Sequence, residues 1–292
     1  MKTNSKNSTL MAWLLVLPAL IIFLLMILYP FVNSIFISFT NKNLIFPKND
    51  FIGFENYVKL LKDPNTIPLI WTTFKFVFFS TLCPFTLGLI WAILMNEKFK
   101  GSQFMRGLTL VNWIIPGIAI GFLWNWIFNG DYGILNALFN KLGIIDSNVI
   151  WLAGKQTSLI AVVTARTWQM FPWYMAFIMG ALQGVPKELC EASRIDGANN
   201  IKVFHHVIIP SIKPVLMLIL ILGAISNLQH FDLINVMTNG GPERATSTFA
   251  IEVYKKAFKE YNLGRAAALG VIWAILLGGF SWVYLRNLKE EN

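Results

Sequence analysis

The chain has 292 residues, of which 55% are hydrophobic and 13% charged, and it carries a formal net charge of +9. A soluble domain has about 25% charged residues, so this composition excludes an ordinary water-facing surface and points to a membrane protein. The basic residues are scattered singly through the connecting segments, which excludes nucleic acid as a partner and leaves membrane lipid headgroups as the simpler one.

In chain order, six apolar runs reach the length of about 20 residues that crosses a hydrocarbon core. They cover 11–39, 67–95, 108–128, 158–182, 214–237 and 266–285. The first lacks a small-residue cleavage pattern before Asn41-Lys42-Asn43 and reads as a retained transmembrane helix. The segment 51–61 has near-helical apolar spacing and predicts a short amphipathic helix at the membrane interface. Lys75 sits close enough to a helix end to reach the headgroups.

Trp113, Trp124, Trp126 and Trp151 fall near predicted helix ends and read as interfacial belt residues. Thr238-Asn239-Gly240-Gly241-Pro242 is a breaker cluster, and 249–261 predicts a second amphipathic stretch. The loops are too short to hold a soluble domain. Backbone polar groups in lipid need internal partners, so the expected fold is an all-α integral membrane protein: six transmembrane helices in a single domain over 1–292. Loop cations are equal in number on the two sides, and only the shorter loops favour a cytoplasmic amino terminus. Cys83 and Cys190 form neither a disulfide framework nor a metal site.

Between the fourth and fifth runs, at about 183–213, lies a polar segment punctuated by glycine. Pro186 suits a helix start, and Glu188 and Glu191 suit its first turns. Asp196-Gly197 is a stop, with glycine free to take the left-handed conformation. Asn199 can cap a second short helix through Ile208, and Pro210 and Pro214 mark the turn back into the membrane. Small residues at 192, 193, 197 and 198 allow a partner to approach the backbone. An ordinary surface hairpin fits these residues as well as a docking loop does.

Ionisable residues inside apolar runs are costly and default to function. Arg166, His230 and Asp232 are the notable ones. Two readings fit: a buried Arg166–Asp232 pair that fixes packing, or a polar path shared with Gln169, Trp173, Asn227 and Gln229. Amides and aromatic faces of this kind suit sugars.

The spacing Glu191-Ala192-Ser193, three residues, Gly197, nine residues, then Val207-x-Ile209-Pro210 resembles the EAA loop of binding-protein-dependent ABC importer permeases. Ser193, Val207 and Ile209 depart modestly from that pattern, and the spacing is intact. Arg194-Ile195-Asp196-Gly197-Ala198, the Asn-Gly-Gly-Pro loop, Leu17-Pro18-Ala19, Tyr29-Pro30 and Gly53-Phe54-Glu55-Asn56-Tyr57 resemble the carbohydrate-uptake branch, and within it the maltose-type first permease subunit.

The resemblance implies an ABC type I importer permease fold with a cytoplasmic EAA coupling hairpin. It makes Glu191, Ala192, Ser193, Asp196, Gly197, Ala198 and Pro210 the ATPase-coupling residues. It implies a multi-pass location in a bacterial cytoplasmic (inner) membrane with both termini cytoplasmic. The implied partners are a second homologous permease, two cytoplasmic ABC ATPases and an extracytoplasmic solute-binding protein. The chain has no G-x-x-x-x-G-K-[ST] loop, so ATP and Mg belong to the partner and the chain itself is no enzyme.

Residues 166–173 and 227–231 resemble the two sugar-contacting segments of that subunit. Matching by position carries the contact role to Arg166, Gln169, Met170, Trp173, Asn227 and His230. Arg166 there favours an acidic sugar or oligosaccharide. An ion-coupled secondary transporter using Asp232 or His230 is the competing class. Permeases for another solute, such as glycerol phosphate, an amino acid or a peptide, stay open.

Overall fold

The structure, a computed structural model, describes residues 5–46, 49–97 and 99–290. Residues 1–4 and 291–292, the termini for which the sequence predicts a cytoplasmic side, lie outside the described residues. In chain order, α1 (Ser5–Phe23), a π-helical turn (Leu24–Leu28) and α2 (Tyr29–Ser38) form one continuous stretch, followed by α3 (Glu55–Lys62) and α4 (Thr66–Asn96). Then come α5 (Ser102–Ile114), α6 (Gly117–Ile127), α7 (Ile134–Lys141), α8 (Thr157–Gln183) and α9 (Lys187–Ile195). A second continuous stretch joins α10 (Asn200–Val203), a π-helical turn (Phe204–Ile208) and α11 (Ile209–Leu228). The chain closes with α12 (Asp232–Met237), α13 (Phe249–Tyr254), a π-helical turn (Lys255–Lys259) and α14 (Leu263–Glu290). Among the described residues the only β pairing is two isolated bridges, Thr40 with Phe51 and Asn43 with Asn262.

Among the described residues, three helical stretches are long and apolar enough to cross a membrane alone: Trp13–Ser38, Thr66–Asn96 and Asn200–Leu228. The run expected as one helix over 108–128 is broken. Helices α5 and α6 meet at 97° and together make a fourth candidate span. The cause is local: Pro116 forces Ile115 into an extended conformation (φ −66°, ψ 130°), because the proline ring excludes the helical region for the residue before it.

The two other departures also involve proline or a helix end. Pro210 and Pro214 were expected to turn the chain, yet helix runs through both from Asn200 to Leu228. The N–H of Ile209 bonds to the carbonyl of Phe204, five residues back, and Tyr29 does the same to Leu24. In each case the next residue is proline, which lacks a donor and crowds the carbonyl four back. A wide turn just before it keeps the other backbone groups satisfied. The fifth run, expected over 214–237, ends at Leu228 and resumes only at Asp232.

The chain divides into two compact units, Met1–Thr66 with Glu252–Asn292, and Ile67–Ile251. In the first, Asn56 Nδ2 donates to the carbonyls of Ser38 (2.9 Å) and Thr40 (2.8 Å), and the hydroxyls of Ser38 and Tyr57 lie 2.6 Å apart. This gives the Gly53–Tyr57 motif a structural task, since Asn56 tethers α3 to the end of α2. Phe39 packs edge-on against Phe54 at 5.2 Å. The amphipathic helix expected over 51–61 is α3, which buries Asn56 and Leu60.

In the second unit, α4 buries Leu69, Thr73, Phe76, Ser80, Thr81, Pro84, Gly88, Ala92 and Met95. These recur every three or four residues, one face of a helix. That face is rich in small residues, while Trp71, Phe74, Phe78 and Phe79 point outward, the division expected of a helix packed in lipid. At Gly88 the approach to α8 is close: a Cβ there would lie 2.6 Å from Tyr174 Cβ and 2.9 Å from the Phe171 carbonyl. Helix α8 runs through two core clusters, one around Phe76, Ala165 and Ile234, the other around Met95, Tyr174 and Ile219.

Two of the tryptophans read as belt residues are packed inside this unit. Trp124 packs at a tilt on Phe128 and meets Trp168 edge-on. Trp151 packs on Phe128 and Phe139 and donates to Asn136 Oδ1 at 2.8 Å. Trp126 is exposed. The stretch 249–261, read as amphipathic, is mostly buried at its start: Phe249 and Ile251 are about fully enclosed, and the Phe249 N–H bonds to Thr73 Oγ1 at 3.2 Å. Burial of these apolar side chains draws the segment off the surface, and the Thr73 hydroxyl satisfies the backbone donor buried with them.

Candidate functional site

Arg166, Gln169, Met170 and Trp173 fall at i, i+3, i+4 and i+7 along α8 and so share one face. Gly223 and Ser226 on α11 and His230 just past its end repeat that spacing. The two faces enclose a cavity of about 340 Å³, lined by these seven residues with Trp113 and Leu222. Five of the six residues matched to a contact role therefore meet in one place. Asn227, the sixth, does not line it.

Asn227 stands behind the wall instead. Its Oδ1 accepts from Arg166 Nε at 2.8 Å, and its Nδ2 donates to the Ser80 carbonyl (2.8 Å) and Thr81 Oγ1 (3.1 Å) on α4. Arg166 also donates to Gln169 Oε1 (2.8 Å) and Ser226 Oγ (3.2 Å). Arg166 is 4% exposed, and all three of these acceptors are neutral. Asp232, the partner expected under the packing reading, is exposed in the first turn of α12, lies against Gly117, and acts on the guanidinium through its charge without a hydrogen bond to it. The guanidinium has ample hydrogen bonds, with no carboxylate among these acceptors.

His230 stacks on Phe76, with ring centroids 6.3 Å apart and planes within 12°. Its Nε2 is buried without a hydrogen-bond partner among the described residues. Trp173 packs on Tyr174 at 4.9 Å and Phe177 at 4.8 Å, which fixes its ring. The cavity thus presents two indoles, an amide, a hydroxyl, an imidazole and a cation. That set can bind a hydroxylated ring by stacking and hydrogen bonding, and a negative charge by pairing. Among the described residues no three His, Cys, Asp or Glu side chains group to hold a metal.

Trp113, Ser226, Leu222 and Gly223 were not singled out from sequence as lining residues. Ser226 and Gly223 could have been found, because they lie four and seven residues before His230. Trp113 carried no such signal, since the break at Pro116 decides where it points.

The hairpin of 183–213 has its own geometry. Helix α9 ends with Ala198 N–H on the Ser193 carbonyl and Gly197 N–H on that of Arg194, each at 3.0 Å. Gly197 has φ +84°, so this is a Schellman ending, which favours glycine. Asn199 Oδ1 accepts from Lys202 N–H at 2.9 Å and caps α10. Glu191, Ala192, Asp196, Gly197 and Pro210 are exposed, and Ser193 and Ala198 are half-buried. The second helix does not stop at Ile208, as the sequence reading has it, but continues into α11.

Helices that are apolar outward and polar around an inner cavity define a membrane transport protein. Residues 85–287 match the model of the binding-protein-dependent transport system inner membrane component family, and the chain belongs to that family. It is 33% identical to the trehalose/maltose transport system permease protein MalF of Thermococcus litoralis over 94% of this chain and 92% of that one. It is 32% identical to the sulfoquinovosyl glycerol transport system permease protein SmoG of Agrobacterium fabrum, over 97% and 92%. The fold matches that of a bacterial ABC transporter involved in import of the acidic polysaccharide alginate, with a TM-score of 0.85 at 18% identity over 97% and 96% of the two chains. A second alginate transporter structure, in complex with alginate pentasaccharide-bound periplasmic protein, matches at 0.83 and 17% identity over 95% and 93%. The fold is that of a type I ABC importer permease.

Proposed function

We propose that this chain is the permease subunit of an ATP-driven, binding-protein-dependent importer of an acidic sugar or oligosaccharide. One observation carries the choice of an acidic cargo: Arg166 is 4% exposed and the acceptors holding it are neutral. A cation inside a membrane protein costs at least about 2.5–3.5 kcal/mol to place there and calls for a counter-charge. The cargo supplies one that bonds to it directly, which Asp232, acting on Arg166 only through its charge, does not. Gln169, Ser226 and His230 then take hydroxyls, Trp113 and Trp173 take ring faces, Met170 supplies apolar contact, and Asn227 orients the guanidinium.

The sugar relatives and the alginate importers support this reading, and family membership favours it over ion-coupled transport. Six crossings are built from α1–α2, α4, the bent pair α5–α6, α8, α11 and α14, as one permease domain. The α9–α10 hairpin is the coupling element, seated through Glu191, Ala192, Ser193, Asp196, Gly197 and Ala198 in a cytoplasmic ATPase, with Pro210 at the start of the helix that carries its motion inward. Exposed Leu189, Ile195 and Ile201 support a docking role, since exposed apolar residues grouped on a polar element mark contact surfaces. A second permease, two ATPases holding ATP and Mg, and a solute-binding protein complete the assembly, with both termini of this chain cytoplasmic.

The test is import by reconstituted complex carrying Arg166→Gln, measured with a uronate oligosaccharide and with its neutral counterpart. Selective loss of the uronate, by about tenfold or more as expected for one lost charge-assisted pair, supports the proposal. Equal loss for both would assign Arg166 to packing.

A further inference from the structure

The first unit holds a cavity of its own, about 350 Å³, lined by Lys59, Leu60, Lys62, Asp63, Lys256 and Arg265. Four cations and one carboxylate, Asp63, line it, and three more carboxylates stand beside two of the cations. Lys59 is paired with Glu55 one turn earlier on α3. Lys256 is 7% exposed, with Glu252 at 3.9 Å and Glu260 at 3.8 Å. Both distances exceed a hydrogen bond, so a buried ammonium with three donors is poorly served. Lys62 and Arg265 supply the remaining positive charge.

The depth of this wall is set by the chain. Lys62 lies four residues before α4 begins, and Arg265 is the third residue of α14, whose Leu263–Gly279 portion is apolar. Cations at the starts of apolar helices sit at the level of lipid headgroups. Helix α3 also carries two adjoining stripes. Glu55, Lys59 and Lys62 form a charged one, and Phe54, Val58 and Leu61, exposed by 69%, 45% and 73%, run beside it. Charge above and apolar surface below is the arrangement that holds an amphiphile at an interface.

We propose that this cavity binds the phosphate of an anionic phospholipid headgroup, with Lys62, Lys256 and Arg265 as its ligands and the apolar stripe of α3 against its acyl chains. Phosphate oxygens suit these donors: arginine offers a planar fork and lysine a point charge, both strengthened by ionisation. The bound lipid would fix α3 and the start of α14 at the membrane surface. The inference is independent of what the importer carries.

The experiment is native mass spectrometry of the full chain, purified in mild detergent with its accompanying subunits, delipidated, then titrated with phosphatidylglycerol, phosphatidylcholine or inorganic phosphate. Phosphatidylglycerol should be retained in preference to phosphatidylcholine. Lys62→Gln, at an exposed position that folding does not need, should weaken that retention about fivefold, the effect of one cation at an anionic surface. Lys62→Gln with Arg265→Gln should abolish the preference, while Lys141→Gln, an exposed lysine elsewhere, should leave it unchanged. Equal retention of both lipids, or an unchanged preference in both variants, would overturn the proposal. So would inorganic phosphate adducts without lipid adducts, which would assign the cavity to a free anion, and so would an equal effect of Lys141→Gln.

Discussion

The phenol of Tyr174 ends where a side chain on Gly223 would begin: a Cβ built at residue 223 would overlap the hydroxyl and lie 2.8 Å from Cζ. The same tyrosine closes against Gly88 through its Cβ at 2.6 Å. One residue on α8 therefore sets the approach of both neighbours, α4 against its Cβ and α11 against its ring, next to the wall that carries Arg166. Glycine is required at 88 and 223 for space, since neither has the positive φ that would call for it.

Gly223→Ala should consequently destabilise the permease by about 1–3 kcal/mol, the usual cost of overpacking, and lower its thermal midpoint in detergent. Tyr174→Phe in the same chain removes the overlapping oxygen and should restore part of the loss. An unaltered midpoint in Gly223→Ala would show that α11 shifts freely against α8.

Asn227→Asp gives Arg166 a carboxylate within the chain. Import of an acidic cargo should fall by about tenfold or more, as one charge-assisted partner is replaced by another. A neutral oligosaccharide of the same length should lose less. Initial uptake rates for the two cargoes in proteoliposomes, compared as a ratio to wild type, read this out. A ratio equal for both cargoes would mean the variant acts only on packing against Ser80 and Thr81.

Gly197→Val places a β-branched residue at φ +84°, where a Cβ meets no neighbour within 4 Å. The penalty is thus backbone strain, about 1–2 kcal/mol, confined to the α9 ending. Under the coupling proposal, ATP hydrolysis should persist while import drops. Gly197→Asn, which tolerates this conformation, should come closer to wild type than valine does. Paired hydrolysis and uptake assays on one preparation decide the matter; tight coupling in the valine variant would remove the hairpin from the drive.

Asn56→Ala leaves the Ser38 and Thr40 carbonyls without their amide donor. Each buried group left unpaired costs about 1–3 kcal/mol, so proteolysis of the loop before α3 should accelerate and the thermal midpoint should fall. Cargo preference should stay as it was, because Asn56 belongs to the other unit from Arg166.

Apolar length and local caps were legible in the sequence. Gly197 and Asn199 act through their own backbone and near neighbours, so α9 ends and α10 begins where those residues stand. Prolines were harder to read, because their effect depends on whether the preceding turn can widen. Ile115-Pro116 bends the chain by 97°, whereas Ile209-Pro210 passes within a continuous helix. The partners of Arg166 were not readable from charge. Asp232 is its natural complement on paper, yet the geometry of α8 against α11 delivers Asn227 and Ser226, a fact of packing that pairwise chemistry does not contain.

The neutral cradle of Arg166 has a consequence for the membrane as a barrier. Small cations are abundant on both sides, and any path wide enough for a sugar is wide enough for them. A fixed guanidinium with no carboxylate among its hydrogen-bond acceptors raises the electrostatic energy of sodium, potassium or hydronium at that point, as cationic groups do in other selective pores. If the cavity lies on the cargo path, the residue that welcomes an acidic sugar also keeps the passage from discharging the membrane potential.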